Sequence, residues 1–311
     1  MLCILGPTAS GKSALAMELA GHDPRIELIS MDSAQIYRGM DVGSAKPSSS
    51  ERAQVRHHLL DLLEPSESYS AARFVRDATQ AADEIRARGG IPVLVGGTML
   101  YYKAYVEGLD DLPSTPLEIR RTIAQQAAAQ GWPALHALLN TVDPDSAQRL
   151  HPADAQRISR ALEIYRHTGK TMTAWIHDSA TRSAQTPSNR EALQALALFT
   201  DDRAELHRRI EGRFEQMVAH GLLDEVRHLR ARGDLTPDLP SMRCVGYRQA
   251  WHYLDGTISY SEFLAQGVAA TRQLAKRQIT WLRGFTDIER FDPFDAGQWN
   301  QAVDRAYALA Q

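Results

Sequence analysis

Short apolar runs alternate with longer segments of helical period through the first third of the chain. MLCIL (1–5), IELISM (26–31) and IPVLVGG (91–97) are mainly apolar runs of strand length, the last of them continuously apolar. Continuous rather than alternating character suits strands covered on both faces, as in a parallel sheet. Between them, GKSALAMELA (11–20) and FVRDATQAADEIRARG (74–89) carry helical patterns, the second closed by Gly89. This is a βα alternation. LQALALF (193–199) is the next strand candidate, after a long interval of different character. That interval opens at a Pro-rich joint, LPSTP (112–116), runs through Ala- and Gln-rich helices to about residue 177, and closes in the polar, loop-like TRSAQTPSN (181–189). The pattern predicts an α/β core built from 1–112 and 189–311, carrying an inserted all-helical subdomain over 113–188. From 202 onward the chain reads as mainly helical, ending in a basic helix around 265–284.

With 311 residues, 43% of them apolar, the chain can bury a substantial core. A net charge of −3 excludes a nucleic-acid binder that works by overall basicity, so any polyanion must be held by a local patch. No apolar run is long enough to span a membrane, and MLCIL has no basic leader before it, so a cytoplasmic protein is expected. Cys3 and Cys244 form neither a disulfide framework nor a zinc set, and both are expected to be reduced and structural.

The chemistry starts at GPTASGKS. Gly6, Gly11, Lys12 and Ser13 satisfy G-x-x-x-x-G-K-[ST] between a strand and a helix, the context that makes the pattern a phosphate site. The fold expected is therefore a P-loop NTPase-like parallel sheet flanked by helices. The candidate phosphate loop is Gly6, Pro7, Thr8, Ala9, Ser10 and Gly11, in which backbone N–H groups, present at every residue but Pro7, converge on phosphate oxygens; Lys12 adds charge, and the Ser13 hydroxyl is a candidate Mg²⁺ ligand. The loop serves equally a kinase that holds ATP and an enzyme that grips a diphosphate leaving group. After the second strand, Asp32, Ser33 and Gln35 fall beyond a carboxyl end, where open α/β sheets bind ligands. Asp32 is either a proton acceptor or a cap or indirect Mg²⁺ ligand, and the Gln35 amide has the donor and acceptor that an adenine edge requires. On the helix ELHRRIEGRFEQMV (205–218), Arg213 lies within a stripe of Leu206, Ile210 and Met217. A guanidinium there needs an anion, either a structural carboxylate or a ligand.

GPTASGKS, DSAQIYRGMDVGSAKP (32–47), HHLLD (57–61), PVLVGGTMLYYKA (92–104), DAQRISRALEI (154–164), VGYRQA (245–250) and RQLAKRQITWLR (272–283), in this order, resemble the bacterial tRNA dimethylallyltransferases, also called tRNA isopentenyltransferases or IPP transferases. The resemblance implies transfer of a dimethylallyl group from dimethylallyl diphosphate to the exocyclic N6 of the adenosine 3′ to the anticodon, position 37 of tRNA. It implies Asp32 as general base, Arg213 on the diphosphate, and Thr98 positioning the diphosphate and reacting centre. Read alone, Thr98 is equally a cap of the next helix. Mg²⁺ is the implied cofactor, the tRNA anticodon stem-loop the partner, and a monomer the expected state. A zinc-finger extension, found in some eukaryotic relatives, has no Cys/His set here.

An adenine within an anticodon loop must leave its stack to react, so a pocket and an RNA grip are both needed. Asp32, Ser33, Ala34, Gln35 and Thr98 are the candidate pocket edge. Arg120 and the QRISR run, Gln156, Arg157, Ile158, Ser159 and Arg160, are candidates from the insertion, with solvated surface arginines as the plain alternative. In the C-terminal helix Arg272, Lys276 and Arg283 fall within about 40° of one another, while Leu274 and Trp281 point oppositely, suggesting one packed and one basic face. Lys276, Arg277, Gln278, Trp281 and Arg283 are candidates there. Arg243, Cys244, Val245, Gly246, Tyr247 and Arg248 form a further set, with Tyr247 read equally well as core. The competing functions are a P-loop small-molecule or nucleotide kinase using ATP and an RNA-binding nucleotide switch. The switch leaves Asp32 and Thr98 idle.

Overall fold

A computed structural model describes residues 1–108, 112–113, 115–183 and 193–311. Two compact units emerge, one of Met1–Val106 with Arg190–Gln311 and the other Glu107–Asn189.

The first unit begins β1 (Leu2–Leu5), α1 (Lys12–His22), β2 (Ile26–Met31), α2 (Ser49–Gln54), β3 (His57–His58), α3 (Ala71–Ala87), β4 (Ile91–Gly96) and α4 (Met99–Glu107). The second holds α5 (Leu117–Gln130), α6 (Trp132–Val142), α7 (Pro144–Arg149), α8 (Ala155–Thr168) and α9 (Met172–Ser183). The first resumes with β5 (Gln194–Leu198), α10 (Arg203–Ala219), α11 (Leu222–Ala231), α12 (Tyr247–Leu254), α13 (Tyr260–Arg283), β6 (Glu289–Phe291) and α14 (Ala296–Ala310).

Six strands form one parallel sheet in the order β3-β2-β4-β1-β5-β6. β1 shows why its residues are all apolar. Leu2 and Ile4 join α1 and α14 in one core, whereas Cys3 and Leu5 join α3 and α4 in the other. Alternate residues of a strand point to opposite faces, and here both faces are covered. Ends of the helices are set by local chemistry: Asp202 caps α10 by accepting from Ala204 and Glu205 N–H, and Ser259 with Glu262 forms a reciprocal capping box on α13.

The α/β class and the long strands are as expected. β3 and β6 were not foreseen, because two and three residues are too few to show a periodicity. TRSAQTPSN was read as loop, yet α9 runs through Ser183. The remainder of that loop, the boundary at 188/189 and Ser114 of the LPSTP joint lie outside the described residues.

The helical unit has its own core, in which Ile123 of α5, Leu135 and Leu139 of α6, Ala147 of α7, and Ile158, Ala161 and Leu162 of α8 pack together. Among the described residues no helix is long and apolar enough to cross a membrane.

Candidate active site

Three parallel neighbours, β2, β4 and β1, end at one edge of the sheet, and each continues into a functional segment. β1 feeds the phosphate loop. Its turn puts Ala9 at φ 64° and Gly11 at φ 88°, left-handed values that only glycine adopts freely. A non-glycine residue held there marks a backbone whose shape the surroundings impose. Gly11 also lies against Trp299 of α14, whose ring edge would stand 3.2 Å from an added Cβ. Lys12 Nζ donates to Pro7 O at 3.2 Å. The Thr8 N–H, however, is spent on Gln278 Oε1 at 2.9 Å, and the buried Ser10 side chain turns toward Gly6, its hydroxyl without a hydrogen-bond partner among the described residues. Those two residues therefore do not offer these groups to a ligand.

β2 ends at Asp32. Its Oδ1 accepts from Ala34 N–H at 2.8 Å and Gln35 N–H at 3.3 Å, capping the turn that follows. The capping alternative thus describes one carboxylate oxygen, and Oδ2 keeps no hydrogen-bond partner among the described residues. β4 ends at Thr98, whose Oγ1 accepts from Ser33 N–H at 3.2 Å and so ties the two strand ends together. Gln35 is held in the wall: Oε1 accepts from Ser30, and Nε2 donates to the carbonyls of Ala45 and Ser44.

These segments line a cleft of about 570 Å³, within the range of small-molecule sites. The 43–47 wall is anchored from behind. Glu225 of α11 accepts from the N–H groups of Asp41, Val42 and Gly43, and also from the Tyr247 hydroxyl. Lys46 Nζ is fully buried between Asp41 and Asp61, each at 2.6 Å, and the Tyr37 carbonyl.

The electrostatics favour an anion. Lys12 and Arg213 both line the cleft, and among the described residues neither has an ion-pair partner within bonding distance. Burial pushes Lys12 down to about 8, Arg213 works in the same direction, and Asp32 opposes both. Burial likewise lowers Arg213, again opposed by Asp32. Leu206 and Ile210 pack as the stripe predicted, but among the described residues no carboxylate forms an ion pair with the guanidinium. Two cations within electrostatic reach of each other and without ion pairs among the described residues give the cleft a preference for an anion.

A family model described as IPP transferase matches residues 35–285. The chain belongs to the IPP transferase family. A protein of Ralstonia pickettii called tRNA dimethylallyltransferase is 56% identical over 91% of this chain and 87% of its own. One of the same name from Leptothrix cholodnii is 56% identical over 99% and 94%. Among solved structures, a tRNA isopentenylpyrophosphate transferase from Bacillus halodurans shares 36% identity over 99% of this chain and 96% of its own, with TM-score 0.67. A eukaryotic dimethylallyltransferase captured acting on tRNA shares 28% over 98% and 76%, with TM-score 0.78. Membership of this family disfavours the kinase reading.

Several RNA candidates need correction against this IPP transferase fold. Ile158 is fully buried in the helical core, and Tyr247 is fully buried with its hydroxyl on Glu225, so neither can meet RNA directly. Gly246 is buried too, while Arg243 is exposed at the cleft mouth and Cys244 and Val245 line the wall. Burial pushes the Cys244 thiol up to about 12. Arg248 is half-buried and does not line the cleft. In α13 the packed face is Ala275, Ile279 and Leu282, not Leu274 and Trp281. Leu274, Gln278 and Trp281 sit to one side of that face and line the cleft, with Trp281 39% exposed. Arg272, Lys276 and Arg283 sit on the other side, turned away from it. Arg272 pairs with Glu211 and Arg283 with Asp201, whereas Arg277 reaches the cleft with no ion pair among the described residues. The helix has three faces, which a two-sided reading of its pattern could not separate.

In the helical unit, Arg120 and Arg160 lean on Glu163, and Arg160 also donates to the Thr115 hydroxyl and Pro113 carbonyl. Ser159 donates to Glu163. Gln156 and Arg157 are exposed, and the Arg157 guanidinium lies 3.7 Å from Asp154. The His-His motif serves the sheet edge: His58 and Arg88 bind Glu27, and the Arg88 guanidinium holds that carboxyl down to about 2. The anchoring role of Glu225 was missed, since nothing in its local pattern separates it from a solvated helix residue.

Proposed function

We propose that this chain transfers a dimethylallyl group from dimethylallyl diphosphate to the exocyclic N6 of the adenosine 3′ to the anticodon of tRNA, position 37. The observation that carries the reading is the pair of cations that form no ion pair among the described residues, Lys12 and Arg213, beside a phosphate loop and within electrostatic reach of the Asp32 carboxylate. The allylic C–O bond breaks and the diphosphate leaves with its electron pair. Lys12, Arg213 and the amides of the loop stabilise the charge that develops on it. The N6 lone pair forms the C–N bond while Asp32 Oδ2 takes the N6 proton, its carboxylate held in orientation by the two N–H groups on Oδ1. Thr98, through Ser33, keeps that turn against the β4 end.

Mg²⁺ suits the donor set. Ser13 is exposed at the start of α1 with no partner for its hydroxyl among the described residues, and no cluster of three metal-ligating side chains exists among them. Such a sparse set fits an ion that keeps water and binds largely through substrate phosphates, with Ser13 as its protein ligand. When bound, Mg²⁺ adds positive charge to the departing diphosphate.

Arg243 and Arg277 at the rim, and Arg120, Gln156, Arg157, Ser159 and Arg160 of the helical unit, are the proposed grips on the anticodon stem-loop, acting on phosphates. A monomeric cytoplasmic enzyme, with 113–188 as its RNA-gripping insertion, completes the proposal. Incubation with tRNA, Mg²⁺ and labelled dimethylallyl diphosphate should place label on adenosine. Transfer from γ-labelled ATP, with none from the prenyl donor, would establish the kinase instead.

A further inference from the structure

β1 and β4 are held as neighbours by parallel pairing whose register ends at Leu5 opposite Gly96. Beyond that rung, among the described residues, no backbone hydrogen bond joins the phosphate loop to residues 97–98. A side chain from a distant helix takes over. Gln278 of α13 accepts the Thr8 N–H at Oε1, 2.9 Å, and donates from Nε2 to the Gly97 carbonyl, 2.9 Å. Its amide does what the next peptide of a ladder would do, accepting from one strand extension and donating to the other.

We propose that Gln278 is a positioning residue that fixes the phosphate loop against the end of β4 and thereby aligns the leaving-group half of the cleft with the proton-accepting half. The line continues through two further links. Thr98 follows Gly97 and accepts from Ser33 N–H, and Ser33 adjoins Asp32. In the sheet order β4 separates β1 from β2, so the loop and the Asp32 turn share no strand pairing of their own. Gln278 supplies the tie that the sheet stops supplying.

The site is built tightly around this amide. A Cβ on Gly97 would lie 2.5 Å from Gln278 Nε2 and 2.9 Å from the Gly6 carbonyl, so the approach requires glycine at 97. Chemistry requires glutamine at 278. A carboxylate cannot donate to Gly97 and would add negative charge beside a diphosphate, and a cationic side chain cannot accept from Thr8. With both ends of the amide committed, Gln278 is not an RNA contact, although Arg277 and Trp281 beside it face the cleft.

The kinetic consequence rests on the prenyl-transfer reading, whereas the structural consequence does not, so two measurements are paired on the full chain. In single-turnover prenyl transfer, Gln278→Ala should lower the rate about 10–100-fold, the order expected when reacting groups are slightly misplaced, with the KM for tRNA and the Kd for pyrophosphate each within about 3-fold of wild type. In amide exchange without ligand, protection should fall at Thr8 and also at Ser33. A rate within 2-fold of wild type would overturn the proposal. So would faster exchange at Thr8 with Ser33 unchanged, since the tie would then stop short of β2. If Gln278→Ala fails to fold in a thermal melt, Gln278→Met carries the same two measurements, keeping the length of the side chain and its charge while removing both hydrogen bonds. Absence of prenyl transfer by the wild-type chain would remove the functional reading, and the exchange at Ser33 would still decide the clamp.

Discussion

Asp32 combines two tasks in one carboxylate: Oδ1 organises the turn and Oδ2 is left for chemistry. Replacement by alanine would confound them, because the turn would lose its cap as well as its base. Asp32→Asn keeps an acceptor for Ala34 and Gln35 and removes only the basic oxygen. It should retain tRNA affinity within a few-fold while lowering turnover on the order of 10²–10⁴-fold, measured by binding and single-turnover rate side by side. Lys12 adds a pH dependence. Its ammonium sits at about 8 in the free cleft, below the ordinary lysine value, and a bound diphosphate raises it again. Between those two values binding takes up a proton at Lys12, so the Lys12 contribution to diphosphate affinity is constant below about pH 8 and falls above it, by at most about tenfold per pH unit. Pyrophosphate titrations from neutral to alkaline pH test the sign. Run beside Lys12→Arg, which keeps its charge at every pH tested, they divide out the protons that pyrophosphate itself loses; a ratio of affinities that does not fall above about pH 8 would show that Lys12 stays charged in the free cleft.

At the scale of the element, α13 serves the core, the cleft and the solvent from three faces. Its basic stripe is turned from the cleft and two of its members are paired, which leaves Arg277 as the cation to watch. Arg277→Ala should weaken tRNA binding and reduce the slope of log affinity against log salt by about one, with Lys276→Ala changing that slope less. The reverse ranking would put the RNA on the outer face. The same helix shows how far a sequence can be read. The period identified a helix with apolar and basic sides, but only the packing of α10 and α12 against it decides that Ala275 and Ile279, not Leu274 and Trp281, face the core. The strand ends were legible because loop glycines, Lys12, Asp32 and Thr98 each follow an unmistakable apolar run. Gln278 was not, since an amide on a basic helix reads as an RNA contact until its partners 270 and 181 residues away are known.

Each compact unit of the molecule has its own core, and the two should fail separately. Ile158→Ala removes a fully buried side chain from the helical unit and should cost about 2–5 kcal/mol there. A thermal melt should show a lowered transition while pyrophosphate binding at low temperature stays within about 2-fold of wild type. Loss of pyrophosphate binding in a folded variant would show that the helical core supports the phosphate loop. The strand order carries a further consequence, for synthesis rather than catalysis. β1 is completely apolar and precedes both of its neighbours in the chain, which are distant: Leu2 pairs with Val93 on one side and with Gln194 on the other. At 5–20 residues per second, the ribosome delivers that second partner about 10–40 s after β1. Through that interval β1 has an open edge, and α1, which follows it directly and packs against Leu2 and Ile4, is the first element able to cover one of its faces.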